Sequence, residues 1–513
     1  MPDNSANNKL IARNTTFLYI RMFIVLVISL YVTRVVFNSL GVVDFGIYNV
    51  VAGFVSLFAF LEATLSGSIQ RFYNYLGTKE GEEGFNKVYS AGIKIAAYSA
   101  FALFILFETL GIWYINNVMV IPTERLTSAN VIFQFVVFSF VLMFVRMPYV
   151  GMIMAEEKMD FYAIVYIAEA VLKLGMALAL PWLPGDVLVV YGLSMFLISL
   201  VVCLMMVIYV KRKFAYLHFS KHQDKDTFKS LLGFSGWSLI GTFAFMLKGE
   251  GLNLLLNSFF GPIINAARGI AFQVSNAVNG FSSNISMAFR PQIVNSYAER
   301  NTKRTFSLMF RESKICFSLI ALLLVPLVLE IKYILRLWLG SDIPEYASIF
   351  TILVLLDTLI CTLNAPCTQI VYATGRIKSY QIFSTIVNLM LIPVCYLFLK
   401  IGYSAISIFI IAIVFSIVNQ IVCVIVASRV AGFGLCDYLK AVILPCLSNS
   451  FLIILPYLIV RSMNESFVRL ILVLLTSFVS AVPILYILVL DEKEREYIKL
   501  ILSKTFRKTS KIL

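Results

Sequence analysis

Histidine is nearly missing from this chain: His218 and His222 are the only two in 513 residues. Four residues apart in a basic loop, they have no third ligand nearby, so neither a metal centre nor a histidine base is indicated. Charge is scarce as well. Only 14% of residues are Asp, Glu, Lys or Arg, beside 60% hydrophobic residues, which excludes a soluble multidomain chain. The motifs of metalloproteases and nucleotide-binding loops, HExxH and GxxxxGK[ST], do not occur. Asp44-Phe45-Gly46 spells the magnesium-holding triplet of protein kinases, but no glycine-rich loop, strand lysine or HRD-type catalytic loop accompanies it. The eight cysteines lie in or beside apolar runs without CxxC spacing and read as small buried hydrophobes. Neither a metal nor a cofactor is expected.

What the chain has in abundance is apolar runs of membrane length. About fourteen of them recur along it, each able to cross a hydrocarbon core roughly 30 Å thick. They are continuously apolar rather than alternating, so the expected class is an all-α polytopic membrane protein and not a barrel. The first run, 14–36, would itself serve as the insertion signal.

Lys and Arg set the orientation. With both termini in the cytoplasm, about 30 of the 42 basic residues fall on the inner side and about four, Arg125, Lys400, Arg461 and Arg469, on the outer side. The net charge of +14 is then mostly topology, and no nucleic-acid partner is implied. The tail 491–513 reads as a basic amphipathic helix on the inner leaflet.

Two parts of the chain repeat at an offset of about 219 residues. "NSLG" from Asn38 matches "NSFFG" from Asn257, and Arg71 then matches Arg290. "MPYVGMIMAEEKMDFY" (147–162) matches "APCTQIVYATGRIKSY" (365–380), pairing Pro148 with Pro366, Ala155 with Ala373, Lys158 with Arg376 and Tyr162 with Tyr380. The expected organisation is two pseudo-symmetric six-helix lobes plus two extra C-terminal helices. The N-lobe takes 1–210, a cytoplasmic linker 211–230, the C-lobe 231–427 and the extra pair 428–490.

Polar residues inside the apolar runs point to function, because a charge at the bilayer centre costs about 2.5–3.5 kcal/mol even on a lenient scale. Lys332, Arg336, Arg34 and Arg146 lie where they can snorkel, and Lys173 follows Glu169 by four residues, the order of a helical ion pair. In run 262–288, Asn265, Arg268, Phe272, Asn276, Asn279, Ser283, Ser286 and Arg290 share one face by their three-and-four spacing. That stripe requires either water and a polar ligand, or asparagines bonding to neighbouring helices. Run 231–256 adds Ser238, Thr242, Lys248, Glu250, Asn253 and Asn257; run 346–372 adds Asp357, Cys361, Asn364 and Thr368; run 42–67 and its extension add Glu62, Ser66 and Gln70; run 14–36 adds Arg21 with Asn14. A polar cavity between the lobes accounts for these together. Candidate substrate contacts are Arg21, Arg268, Asn265, Asn276, Asn279, Ser283, Asn253 and Lys248. Candidate ion-coupling carboxylates are Glu62, Asp357 and Glu250.

The N-terminal pattern, an asparagine-containing start and a basic residue followed by "NSLGVVDFGIY" (38–48) and "QRF" (70–72), resembles polysaccharide-export flippases of the Wzx type. These share a superfamily, often called MOP, with MATE multidrug antiporters and the lipid II flippase. The resemblance implies a multi-pass protein of the bacterial cytoplasmic (inner) membrane that moves an undecaprenyl-diphosphate-linked oligosaccharide to the periplasmic leaflet by alternating access. It implies work in O-antigen, capsule or exopolysaccharide biosynthesis, coupling to a proton or sodium gradient, and as partners membrane lipids and the polymerase and chain-length machinery. The lipid II flippase has cavity arginines on its first, second and eighth helices; Arg21 and Arg268 match two of them, while Glu62 stands in the run that would hold the third. The alternative on the same scaffold is a cation-coupled drug antiporter of the MATE type. A membrane-embedded polysaccharide polymerase or ligase is disfavoured because outer connections are no longer than about a dozen residues.

Overall fold

The computed structural model describes residues 4–156, 158–220, 226–232, 246–340, 343–374, 376–486 and 495, with side chains from residue 21 onward. Asn14, Ser238, Thr242, His222 and nearly all of the 491–513 tail lie outside the described residues or side chains. Every described element is helical. Eleven described helices are long and apolar enough to cross a membrane, and the 37-residue helix Pro262–Ala298, about 55 Å long at 1.5 Å per residue, carries the polar stripe.

The chain divides into two compact units. The first comprises 1–269, 339–347 and 388–408, and the second 270–338, 348–387 and 409–513. This division falls at 269/270, inside one continuous helix; the 211–230 linker of the repeat-based organisation lies before it. That linker belongs to the first unit, where the His218 amide donates to Asn86 Oδ1 at 2.8 Å and the Ser220 amide to Ser90 Oγ at 2.9 Å.

Two glycines shape the first unit. Gly41 breaks the helical run Asn4–Ser56 with φ 73° and ψ 175°, and Gly261 separates Leu252–Phe260 from Pro262–Ala298 with φ 77° and ψ −174°. L side chains rarely adopt that backbone region. These are the glycines that the NSLG and NSFFG repeat aligns, so the duplicated sequence folds into a duplicated turn.

Asp44, three residues past the first turn, binds Arg125 through both carboxylate oxygens. Arg125 also donates to Asp186 at 3.0 and 3.3 Å, and the Ser128 hydroxyl donates to Asp186 at 2.5 Å. A single arginine thus ties together three connections of the first unit. Asp186 also caps helix Val187–Lys213 by accepting from the Leu188 amide at 3.0 Å.

In the second unit, helix Ala347–Cys361 stops and a new one, Asn364–Thr374, begins. The Leu363 carbonyl freed by this break accepts from Gln420 Nε2 at 3.1 Å, as an apolar surround requires. Arg469, which opens helix Phe467–Ile484, grips Glu330 with two bonds of 2.7 Å. This buried fork fastens the C-terminal pair to helix Thr302–Leu329, since Glu330 follows that helix directly.

The Asp186 carboxyl is held below its usual range: burial pushes it up, and Ser128, the Leu188 amide and Arg125 more than offset that. Its contribution to stability is complete above the ordinary Asp pKa and is lost as pH falls through the lowered value. In Arg125→Ala, a pH series of thermal unfolding in detergent should show a lower midpoint at neutral pH and an acid-side loss that begins at higher pH. An unchanged acid limb would mean that Arg125 does not hold Asp186.

Candidate functional site

The polar cluster of the first unit forms where its two duplicated hairpins meet with little side-chain volume between them. A Cβ on Gly46 would overlap the Pro262 carbonyl, one on Gly53 would lie 2.7 Å from Glu250 Oε2, and one on Gly269 would lie 2.8 Å from Asn49 Oδ1. Small residues that let helices approach this closely are a common membrane packing device.

Three asparagines fill the junction. Asn265, fully buried, donates to both Asn253 O and Asn253 Oδ1 at 2.8 Å and accepts from Asn257 Nδ2 at 3.0 Å. Asn253 donates to the Asn49 carbonyl at 3.2 Å and to Glu250 Oε2 at 3.3 Å. Asn257 holds the backbone of Val120 in the connection that precedes Thr123–Arg125, accepting from its amide at 2.9 Å and donating to its carbonyl at 3.4 Å. Asn253, Asn257 and Asn265 thus knit helices to one another.

Arg268 lies one helical turn further on, only 5% exposed. It donates from Nη2 to the Gly249 carbonyl at 2.6 Å, in the turn that also holds Glu250. The reason a carbonyl is available is local. Residues Leu247–Gly251 form one wide helical turn with i to i+5 spacing, a geometry that leaves backbone groups to find other partners. Lys248 stands in the same turn. Glu250, Asn253, Asn265 and Arg268 form one cluster, with Asn49 as a member that the repeat pattern alone did not single out.

Arg21 belongs to a different neighbourhood. Its guanidinium lies 5.1 Å from the Tyr162 ring centroid and 5.3 Å from that of Tyr166, so cation–π attraction stabilises its charge. Nearby, Glu169 and Lys173 form the expected helical pair at 2.6 Å. They line a cavity of about 250 Å³ with Arg146, Tyr48, Ser139 and Ser199. That volume holds several waters but is below the usual range for small-molecule sites. Glu62 stands in the first turn of helix Ala59–Glu80.

In the second unit, Asn276, Asn279 and Ser283 are exposed along helix Pro262–Ala298, while Ser275 and Ser286 on its flank are buried. Asp357 stands 4.0 Å from Cys361 Sγ. Asn364 and Thr368 bond to each other and to the Tyr380 hydroxyl at 2.9 to 3.1 Å. A buried carboxylate that the spacing patterns do not single out is Glu312, 0% exposed, which accepts from Gln369 Nε2 at 3.0 Å. It stands in "FRESKICF" among basic residues, and this neighbourhood disguises it as part of an inner connection.

No protein-family model and no curated protein matches the chain. Solved structures do. A structure described as the lipid II flippase MurJ in an inward closed conformation is similar over 93% of this chain and 99% of its own, with TM-score 0.70 at 16% identity. An inward-facing multidrug resistance MATE transporter of the MOP superfamily is similar over 79% and 94%, with TM-score 0.61 at 15% identity. The MATE multidrug transporter DinF-BH is similar over 83% and 97%, with TM-score 0.59 at 17% identity. The chain has the fold of these polytopic transporters.

Asn265→Ala would strand the amide of Asn257 and both oxygens of Asn253; it should cost about 1–3 kcal/mol, read as earlier thermal unfolding in detergent. A midpoint equal to the parent's would remove the interhelical role. Asn276→Cys and Asn279→Cys should react with a membrane-impermeant thiol reagent in intact cells or inverted vesicles, since a thiolate forms only in water. Protection in both preparations would show that this face is not wet.

Proposed function

We propose that this chain is a flippase for an oligosaccharide linked to undecaprenyl diphosphate. It would carry the headgroup from the cytoplasmic to the periplasmic leaflet of a bacterial inner membrane during surface polysaccharide biosynthesis, with both termini cytoplasmic. The observation that carries this reading is the extent of the fold likeness. The lipid II flippase, which by its name acts on a lipid, is matched along 93% of this chain. The MATE transporters are themselves almost wholly matched, yet leave about a fifth of this chain uncovered.

The chemistry supports the same substrate class. Each sugar hydroxyl buried without a partner costs about 1–3 kcal/mol, and a diphosphate far more, so unaided crossing is negligible. The prenyl chain meets no such barrier. What the protein must supply is a wet, hydrogen-bonding route and a cation for the diphosphate. Exposed amides at Asn276 and Asn279 suit sugar hydroxyls, and the guanidinium of Arg268 suits a diphosphate, to which it can donate as a fork. A proton or sodium gradient would drive the cycle by alternating access, and the polymerase machinery would consume the product.

A drug antiporter on the same fold makes a different prediction for the same variants. In bacteria lacking their own chromosomal copy, Arg268→Ala should reduce surface glycan at least about tenfold at parental abundance in the membrane, with Arg268→Lys in between. Full export by Arg268→Ala would remove the diphosphate role. Efflux of cationic dyes by the parent chain, without any effect on surface glycan, would favour the antiporter.

A further inference from the structure

The surroundings of Glu312 hold more acceptors than donors. Its carboxylate lies in helix Thr302–Leu329 with no exposure to solvent, and Gln369, on helix Asn364–Thr374, is only 9% exposed. The Gln369 amide nitrogen spends its two protons on Glu312 Oε1 at 3.0 Å and the Ser286 carbonyl at 3.3 Å. The Cys316 thiol points to the Ser282 carbonyl at 3.8 Å. The Ser286 hydroxyl has one proton, and it neighbours both Cys316 Sγ, at 3.9 Å, and the carboxylate. Glu312 Oε2 and Gln369 Oε1 are both buried without a hydrogen-bond partner. Because Gln369 offers no further N–H and an ionised carboxylate offers none, two orphan acceptors share one small cluster.

A missing donor can be a proton or a metal cation, and charge helps to separate them. The ionisable groups on the same helix are Lys303, Arg304, Arg311, Lys314 and Cys316. Those on packed elements include Cys367 and Tyr372 on Asn364–Thr374; Asp357 and Cys361 on Ala347–Cys361; Cys423 and Arg429 on Ile406–Ala431; Cys436, Asp437, Tyr438, Lys440 and Cys446 on 435–448; Arg290 and Tyr297 on Pro262–Ala298; and Tyr457, Arg461 and Arg469 further along. Glu312 makes none of the ion pairs found among the described residues. A buried carboxylate without a counter-charge or a full set of donors is stabilised by protonation. A sodium ion would need several oxygens free to coordinate it, and in this cluster Glu312 Oε2 and Gln369 Oε1 are the two without a partner, the others being engaged in hydrogen bonds.

We propose that Glu312 is a proton-binding site of the second unit, protonated in the state described here and deprotonated when transport lets water reach it. The gradient-coupling role rests on the transport reading, but the protonation does not. The reaction is simple proton exchange: Glu312 gains H⁺ at Oε2 and becomes a neutral donor, and on release the proton passes to water.

The purified full-length chain in detergent tests this without any substrate. Infrared difference spectra across a pH titration should show a protonated-carboxyl carbonyl band that persists at neutral pH and is lost in Glu312→Gln. Gln369→Leu, which removes the donor favouring the charged form, should move the titration midpoint up by at least about one pH unit, a tenfold gain in proton affinity. An identical band in Glu312→Gln, or a midpoint unmoved by Gln369→Leu, would overturn the assignment. Loss of the band on adding NaCl at fixed pH would overturn it in favour of sodium. Should the band behave as expected while the chain moves no lipid-linked glycan, the transport reading fails and the proton site stands.

Discussion

The contact of the two duplicated hairpins at Gly46, Gly53 and Gly269 is the constraint on which the first unit depends. A side chain at any of these positions would enter space already taken by Pro262, Glu250 or Asn49. Close approach then dictates what fills the seam. Helices this near one another leave room only for short polar side chains, and Asn253, Asn257 and Asn265 satisfy each other and the Val120 backbone there. The Gly41 and Gly261 turns, with matching backbone angles, give the two hairpins the same geometry. The repeated sequence thus forms a repeated shape that packs against its own copy.

Membrane charge is used here in separable ways. Arg125, between Asp44 and Asp186, binds connections of the first unit together, and Arg469 with Glu330 fastens the last described helices. Both are paired and geometrically fixed, as structural charges in apolar surroundings must be. Arg21 is stabilised instead by tyrosine faces, and Arg268 by a backbone carbonyl beside Glu250. Of these, Arg268 combines deep burial with a wide helical turn, where one carbonyl is borrowed rather than permanently committed to a helix.

Much of this was legible in the residues. Continuous apolar runs disclosed the helices, and the NSLG/NSFFG pair located the turns, because only glycine adopts that backbone cheaply. The three-and-four spacing in 262–290 separated a polar face but not its two fates: Asn265 and Arg268 are buried against protein, whereas Asn276, Asn279 and Ser283 are exposed. Spacing reports direction around a helix, and burial depends on neighbours far away in the chain. The same limit hid the role of Asp44. Its partner is Arg125, 81 residues on. Glu312 was missed because basic neighbours made its stretch look like a connection, while its surroundings come from Gln369, 57 residues away.

The central claim is that the chain moves a lipid-linked, diphosphate-bearing glycan between leaflets. Its most direct test is reconstitution of the full-length protein into vesicles carrying a fluorescent polyprenyl-diphosphate oligosaccharide, with a glycosidase added outside. With an imposed ion gradient, the account predicts that protein-containing vesicles bring the glycan of the inner leaflet within the enzyme's reach, while protein-free vesicles leave about half of it protected, as a symmetric bilayer must. Equal protection in both, with the protein shown to be folded and inserted, would contradict the account.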